Sequence, residues 1–163
     1  MKLIITDTAG IKLKIDGEYK IISPDCGEIK SCTGCFGCWF KTPGVCVLND
    51  GFSSLPADIS KCTELIIVSR CFCGSVSPFV KNVLDRAIAY VSPDFEIKDG
   101  RMKHKRRYDN SPVLTAFFYG ENITDNEQET AKKIMRANMN NFSATVADIR
   151  FYGSLQEMAG ETL

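Results

Sequence analysis

The segment Thr63–Ser69 (TELIIVS) carries four consecutive branched apolar residues, Leu65 to Val68, between polar ends. An uninterrupted apolar run of this length marks a strand buried on both faces, the situation of a strand inside a parallel sheet. Four more strand-like segments accompany it: Lys2–Thr6, Tyr19–Ser23, Pro112–Tyr119 and Ala147–Tyr152. Helical patterns lie between the later ones. Ser77 before Pro78 is an N-cap with proline at the first helical position. Phe79, Val80, Val83, Leu84, Ala87, Ile88 and Val91 then recur at helical spacing. Thr124 with Glu127 forms a capping box opening a helix to about Phe142. Phe52–Lys61 and the residues after Gly153 read as shorter helices. Strands alternating with helices predict an α/β, three-layer, doubly wound parallel sheet of five strands, in order 2-1-3-4-5.

The first crossover breaks this regularity. Only twelve residues, Asp7–Glu18, separate the first two strands, and Ile11, Leu13 and Ile15 alternate with Lys12, Lys14 and Asp16. That is a strand period, so the first crossover helix is expected to be shortened or missing. Ser92–Ser111 fits no element.

The chain has 163 residues, so residues 1–163 are expected to form one domain. Twenty basic and twenty acidic residues cancel, which argues against nucleic acid as a partner. Leu65–Val68 falls far short of the ~20 residues of a membrane span. The opening MKLIITDTAG lacks the apolar stretch of a signal peptide, so a cytoplasmic location is expected.

Eight cysteines in such a chain point to metal or redox chemistry before disulfides. Cys62, beside a buried strand, reads as a small core residue. Cys32, Cys35, Cys38 and Cys46 fall within fifteen residues, with Gly34, Gly37 and Gly44 giving the backbone freedom to fold around one centre. The spacing favours an iron–sulfur cluster over zinc, with free thiols left open. Cys71-x-Cys73 and Cys35-x-x-Cys38 are weaker candidates for thiol redox chemistry. In doubly wound sheets, ligands sit beyond the carboxyl ends of the strands at the reversal of strand order. The loops there hold Thr6, Thr8, Ser69, Arg70, Cys71, Phe72, Cys73, Gly74, Ser75, Ser77, Tyr119 and Gly120. Asp85 and Glu64 are candidate partners of Arg70. Lys98–Arg107 carries six basic residues against one acidic, which suits a phosphate such as that of NADPH, a solvated loop or a subunit contact. The lone His104 within it reads as solvent-exposed.

The stretches CTGCFGCWFKTPGVCVLNDGF (Cys32–Phe52), IIVSRCFCGSVSPFVKNVLDR (Ile66–Arg86) and HKRRY (His104–Tyr108) resemble the NADPH-dependent FMN reductase and iron–sulfur flavoprotein group of flavodoxin-like proteins. The resemblance implies a flavin (FMN)-dependent oxidoreductase. It would move hydride or electrons between NAD(P)H or a cluster and a small-molecule or protein acceptor, as a homodimer or homotetramer. It places FMN across the strand-end residues named above, with Trp39, Phe72 and Tyr119 as candidate ring neighbours. It assigns Cys32, Cys35, Cys38 and Cys46 to a [4Fe–4S] cluster; catalytic side chains stay unassigned. One departure counts against it. The family's Ser/Thr-rich phosphate loop after strand 1 is replaced by Asp7-Thr8-Ala9-Gly10, and Asp7 repels a phosphate. The alternative is a non-catalytic, metal-binding or oligomeric relative that has lost this loop.

Overall fold

Glu64–Arg70 forms β3, the middle strand of a five-stranded parallel sheet, in a computed structural model that describes every residue except Asp99 and Ala159. Around it stand β1 (Lys2–Thr6), β2 (Tyr19–Ile22), β6 (Val113–Tyr119) and β7 (Thr145–Tyr152). The order β2-β1-β3-β6-β7 is the predicted 2-1-3-4-5 arrangement. In register, Ile5 lies beside Ile67 and Ile67 beside Ala116. Alternation sends Leu3, Ile5, Leu65, Ile67, Leu114 and Phe118 to one face and Ile4, Ile66, Val68 and Phe117 to the other.

The first face is covered by α2 (Leu55–Lys61), α3 (Pro78–Arg86) and α4 (Asp125–Asn141). Both predicted N-caps are present. Ser77 Oγ accepts from Val80 N–H, and Thr124 and Glu127 cap each other reciprocally. Val80, Val83, Ala131, Met135 and Met139 are fully buried against the sheet.

The second face has almost no helix. A short α5 (Leu155–Met158) and an extended segment holding half-buried Ile11, Leu13 and Ile15 cover it. That segment is pinned by a parallel bridge between Lys14 and Thr162. Leu163 N–H donates to Lys14 O at 2.8 Å, and Asp16 N–H to Leu163 O at 3.0 Å. The first crossover helix is therefore missing, as the alternation of Ile11, Leu13 and Ile15 requires.

Ser92–Ser111 departs from expectation. Most of it is an antiparallel hairpin, β4 (Val91–Lys98) with β5 (Arg101–Arg106), pairing Phe95 with His104 and Ile97 with Met102. The strand period is present, with Phe95, Ile97, Met102 and His104 on one face and Glu96, Lys98, Arg101 and Lys103 on the other, but the dense run of charge reads as a solvated loop. Val91, expected to close the α3 pattern, instead opens β4. No helix among the described residues is long and apolar enough to cross a membrane.

Candidate functional site

The loop after β1 has no helix behind it, and its polar groups already have partners. Asp7 accepts Arg70 N–H and Tyr119 O–H, each at 2.9 Å. Thr8 Oγ1 lies 3.2 Å from Tyr119 Oη, and Gly10 N–H donates to Asp25 Oδ2 at 2.7 Å. Thr6 is fully buried and accepts Thr8 N–H. A carboxylate thus fills the place where a phosphate would seek donors. Burial, with the Asp7 charge beside it, raises the Tyr119 phenol above its ordinary value.

After β3 the chain makes a tight turn. Phe72 and Ser75 exchange both backbone hydrogen bonds, at 2.8 and 3.0 Å, with Cys73 and Gly74 at positive φ. A Cβ on Gly74 would stand 2.9 Å from the Thr130 side chain, so the turn packs closely on α4. Ser69 and Ser77 serve the structure: Ser69 Oγ accepts Ser77 N–H at 2.8 Å, and Ser77 caps α3. Phe72 and Cys73 are exposed at the tip. Arg70, Cys71, Tyr119 and Gly120 line a cleft of about 650 Å³ at the ends of β3, β6 and β7. Thr8 borders a separate cleft of about 180 Å³. Neither suggested carboxylate pairs with Arg70, since Glu64 lies against Lys2 and Asp85 against Lys81.

The cysteine loop is better organised. Cys32, Cys35, Cys38 and Cys46 all line one cavity of about 330 Å³, walled mainly by Phe36, Trp39, Leu48 and Ile88. A one-turn helix α1 (Gly37–Phe40) carries Cys38 into it. Gly37 is required by close approach: a Cβ there would meet Val47 Cγ1 at 2.9 Å. Burial raises the Cys38 thiol, and the other three cysteines push it the same way. Hydrogen bonds from Gly37 N–H and Thr33 lower Cys35. Among the described residues no three His, Cys, Asp or Glu side chains are placed to hold a metal ion; the four thiols border one cavity, with Cys32 and Cys35 exposed at its mouth.

Behind Cys46 stands a group the sequence reading left out of the site. The Arg86 side chain is completely buried, and Nε–H donates to Cys46 Sγ at 3.1 Å. Its two other nitrogens grip Asp50 at 2.5 and 2.9 Å, and one also reaches Lys30 O at 2.7 Å. Asp50 takes further N–H bonds from Lys30 and Phe52, and Arg86 holds its carboxyl far below the usual carboxylate range. Both residues lie in the motif-bearing stretches, but their pairing spans 36 positions and has no local signal.

Trp39 extends the cavity wall. It stacks on Phe36 at 5.6 Å and lies 5.3 Å from His104, which packs on Phe95 at 4.4 Å. His104 is thus half-buried between aromatic rings rather than free in solvent, with Nδ1 2.8 Å from Ser92 O. The strand-end turn and Arg86 sit at opposite ends of the nine-residue α3, about 13 Å apart along its axis.

No family model and no curated protein matches the chain. Solved structures do. An azoreductase aligns with TM-score 0.59 at 9% identity, over 94% of this chain and 87% of that one. An FMN-dependent NADH-azoreductase from Bacillus anthracis, solved in complex with FMN, gives 0.58 at 13% identity, over 98% and 92%. The Trp repressor binding protein from Bacillus subtilis gives 0.56 at 12% identity, over 98% and 94%. Likeness at this identity establishes the flavodoxin-like α/β fold.

Proposed function

We propose that this chain is a flavin-linked oxidoreductase whose resident redox centre is a [4Fe–4S] cluster in the four-cysteine cavity, and for which flavin is an exchanging substrate. The observation that carries the reading is the convergence of Cys32, Cys35, Cys38 and Cys46 on one cavity, with Cys46 held by the buried Arg86. The donor chemistry suits a cluster, with four thiols at short spacing, apolar walls and an N–H donor on one sulfur, and binding requires the thiols to close from the cavity rim onto it. When bound, the cluster would supply one-electron storage. The chain's own residues do the rest. Arg86 orients Cys46 and offsets thiolate charge, Asp50 fixes Arg86, and Phe36, Trp39, Leu48 and Ile88 give the cavity an apolar wall.

A resident FMN fits less well. Its phosphate would meet the Asp7 carboxylate and a loop whose Gly10 and Arg70 N–H groups are already bonded. Flavin as substrate avoids this conflict. The strand-end cleft would hold the flavin ring, which when bound would accept a hydride from NAD(P)H and release its two electrons, with the proton, to a small-molecule or protein acceptor. Arg70 lines that cleft, where its cation opposes negative charge on the reduced ring. A homo-oligomer joined through the hairpin is part of the proposal, because Phe95, Ile97 and Met102 are 55, 81 and 70% exposed there. The FMN-dependent NADH-azoreductase of the same fold supports the flavin reading. The filled position at Asp7 favours the second reading, a metal-binding relative without catalysis.

Anaerobic reconstitution with ferrous iron and sulfide separates these readings. Broad visible absorption bleached by dithionite, lost in Cys46→Ser, together with NAD(P)H-driven reduction of added FMN, is expected. A loaded cluster without flavin reduction selects the metal-binding relative. Failure to take up iron, with wild type indistinguishable from Cys46→Ser, refutes the cluster.

A further inference from the structure

A fourth cavity, about 470 Å³, lies where the β4–β5 hairpin leans on the C-terminal end of α4. Lys98, Arg101, Lys103 and Arg106 line it, with Asn140 and Ser143 opposite. No carboxylate is among its described lining residues.

Lys103 is the unusual member. Its side chain is 9% exposed, while its neighbour Met102 is 70% exposed. A ribbon packed on a helix normally turns its apolar residue in and its cation out. Here the order is reversed. The Lys103 ammonium has one counter-charge, its cross-strand neighbour Glu96 with Oε1 at 3.6 Å and 38% exposed, and one hydroxyl, Ser143 Oγ at 3.4 Å. Burying an ammonium is costly unless a counter-charge meets it. Lys98, Arg101 and Arg106 have no carboxylate within 4.0 Å among the described residues. Arg106 is braced by the Asp109 and Asn110 carbonyls, which fixes one fork of its guanidinium. Glu96 offsets one of the four cations and the α4 C-terminus only about half an elementary charge more, which leaves the cleft strongly positive.

We propose that this cleft binds a phosphate group carrying two negative charges. Lys103 would serve as the central ammonium, and Arg101 and Arg106 as planar guanidinium donors. Ser143 contributes a hydroxyl. The phosphate can belong to a nucleotide, such as the 2′-phosphate of an adenosine, or to free pyrophosphate. The site is separate from the cysteine cavity and stands whether or not a cluster binds there.

Isothermal titration of the full-length chain with adenosine 2′-monophosphate and with pyrophosphate tests it. At least one is expected to saturate, with affinity falling at least about tenfold in the surface double variant Lys98→Gln/Arg101→Gln. Lys103→Met should abolish binding without lowering the thermal midpoint, since an apolar side chain suits the buried position. Tighter binding of the nucleotide identifies a nucleotide source; equal or tighter binding of pyrophosphate identifies free phosphate. Absence of heat for both probes up to about 1 mM overturns the proposal. So does unchanged affinity in the double variant, or a lowered midpoint for Lys103→Met, which would make Lys103 a structural residue.

Discussion

Replacing Arg86 by Met should destabilise this protein more than most single changes. The side chain of Arg86 is 0% exposed and that of Asp50 3%, so the pair lies in a low-dielectric interior. Arg86→Met leaves Asp50 charged and buried, which typically costs about 3–5 kcal/mol. Two backbone N–H bonds to Asp50, from Lys30 and Phe52, survive and place the loss toward the lower end. For a chain of this size each kcal/mol moves the midpoint by roughly 2–4 °C, so a fall of about 6–15 °C is expected by calorimetry or circular dichroism. The double variant Arg86→Met/Asp50→Leu removes both charges and should recover much of that fall. The pH dependence follows from the same pair. The folded carboxyl of Asp50 titrates below its unfolded value of about 4, so its stabilisation is complete above that pH and is lost as pH falls through the folded value. Wild type should therefore lose its advantage over Asp50→Asn only in acid below about pH 4. A midpoint shift under about 2 °C for Arg86→Met, or a double variant as unstable as the sum of the singles, refutes the reasoning.

Binding titrations should find FMN and riboflavin within about threefold of each other, whereas two charge-assisted phosphate bonds would separate them about a hundredfold or more. Asp7→Ser removes the carboxylate and frees Arg70 N–H, so FMN should then gain over riboflavin by about tenfold or more. Thr124→Ala breaks the capping box of α4 and should lower stability by about 1 kcal/mol in denaturant titration, with an unchanged m-value. In timed alkylation read by mass spectrometry, Cys62 should be modified last. It is 1% exposed, and burial pushes its thiol up to about 11, while Cys26 lies at the surface.

What the sequence discloses follows the range of the interaction concerned. The strand order rests on the apolar run of β3 and on two caps, Ser77 and Thr124, whose partners lie three residues away. The missing first helix is readable because Ile11, Leu13 and Ile15 repeat at period two within one segment. The β4–β5 hairpin is not readable. Its apolar face, Phe95, Ile97 and Met102, is interleaved with Glu96, Lys98, Arg101 and Lys103, and the density of charge in that run outweighs the alternation. The cysteine spacing announces a shared centre. Arg86, forty residues beyond Cys46, becomes part of it only when α3 docks against the loop. The strand-end loops resemble a ligand site in composition, yet much of their polarity is spent internally. Ser69 and Ser77 bond each other, and Asp7 occupies Tyr119 and Arg70. Composition cannot separate a donor offered to a ligand from one already taken.

Trp39 is the only tryptophan in the chain, and it forms part of the wall of the cysteine cavity. Its indole N–H is tied to Val91 O at 3.0 Å, and its ring is flanked by Phe36 and His104. Intrinsic emission excited in the tryptophan band therefore comes from one address. Events at the 330 Å³ cavity should alter its intensity or wavelength directly. Ligands entering the strand-end cleft or the basic cleft should leave it nearly still, and the protein carries its own optical probe for telling these compartments apart.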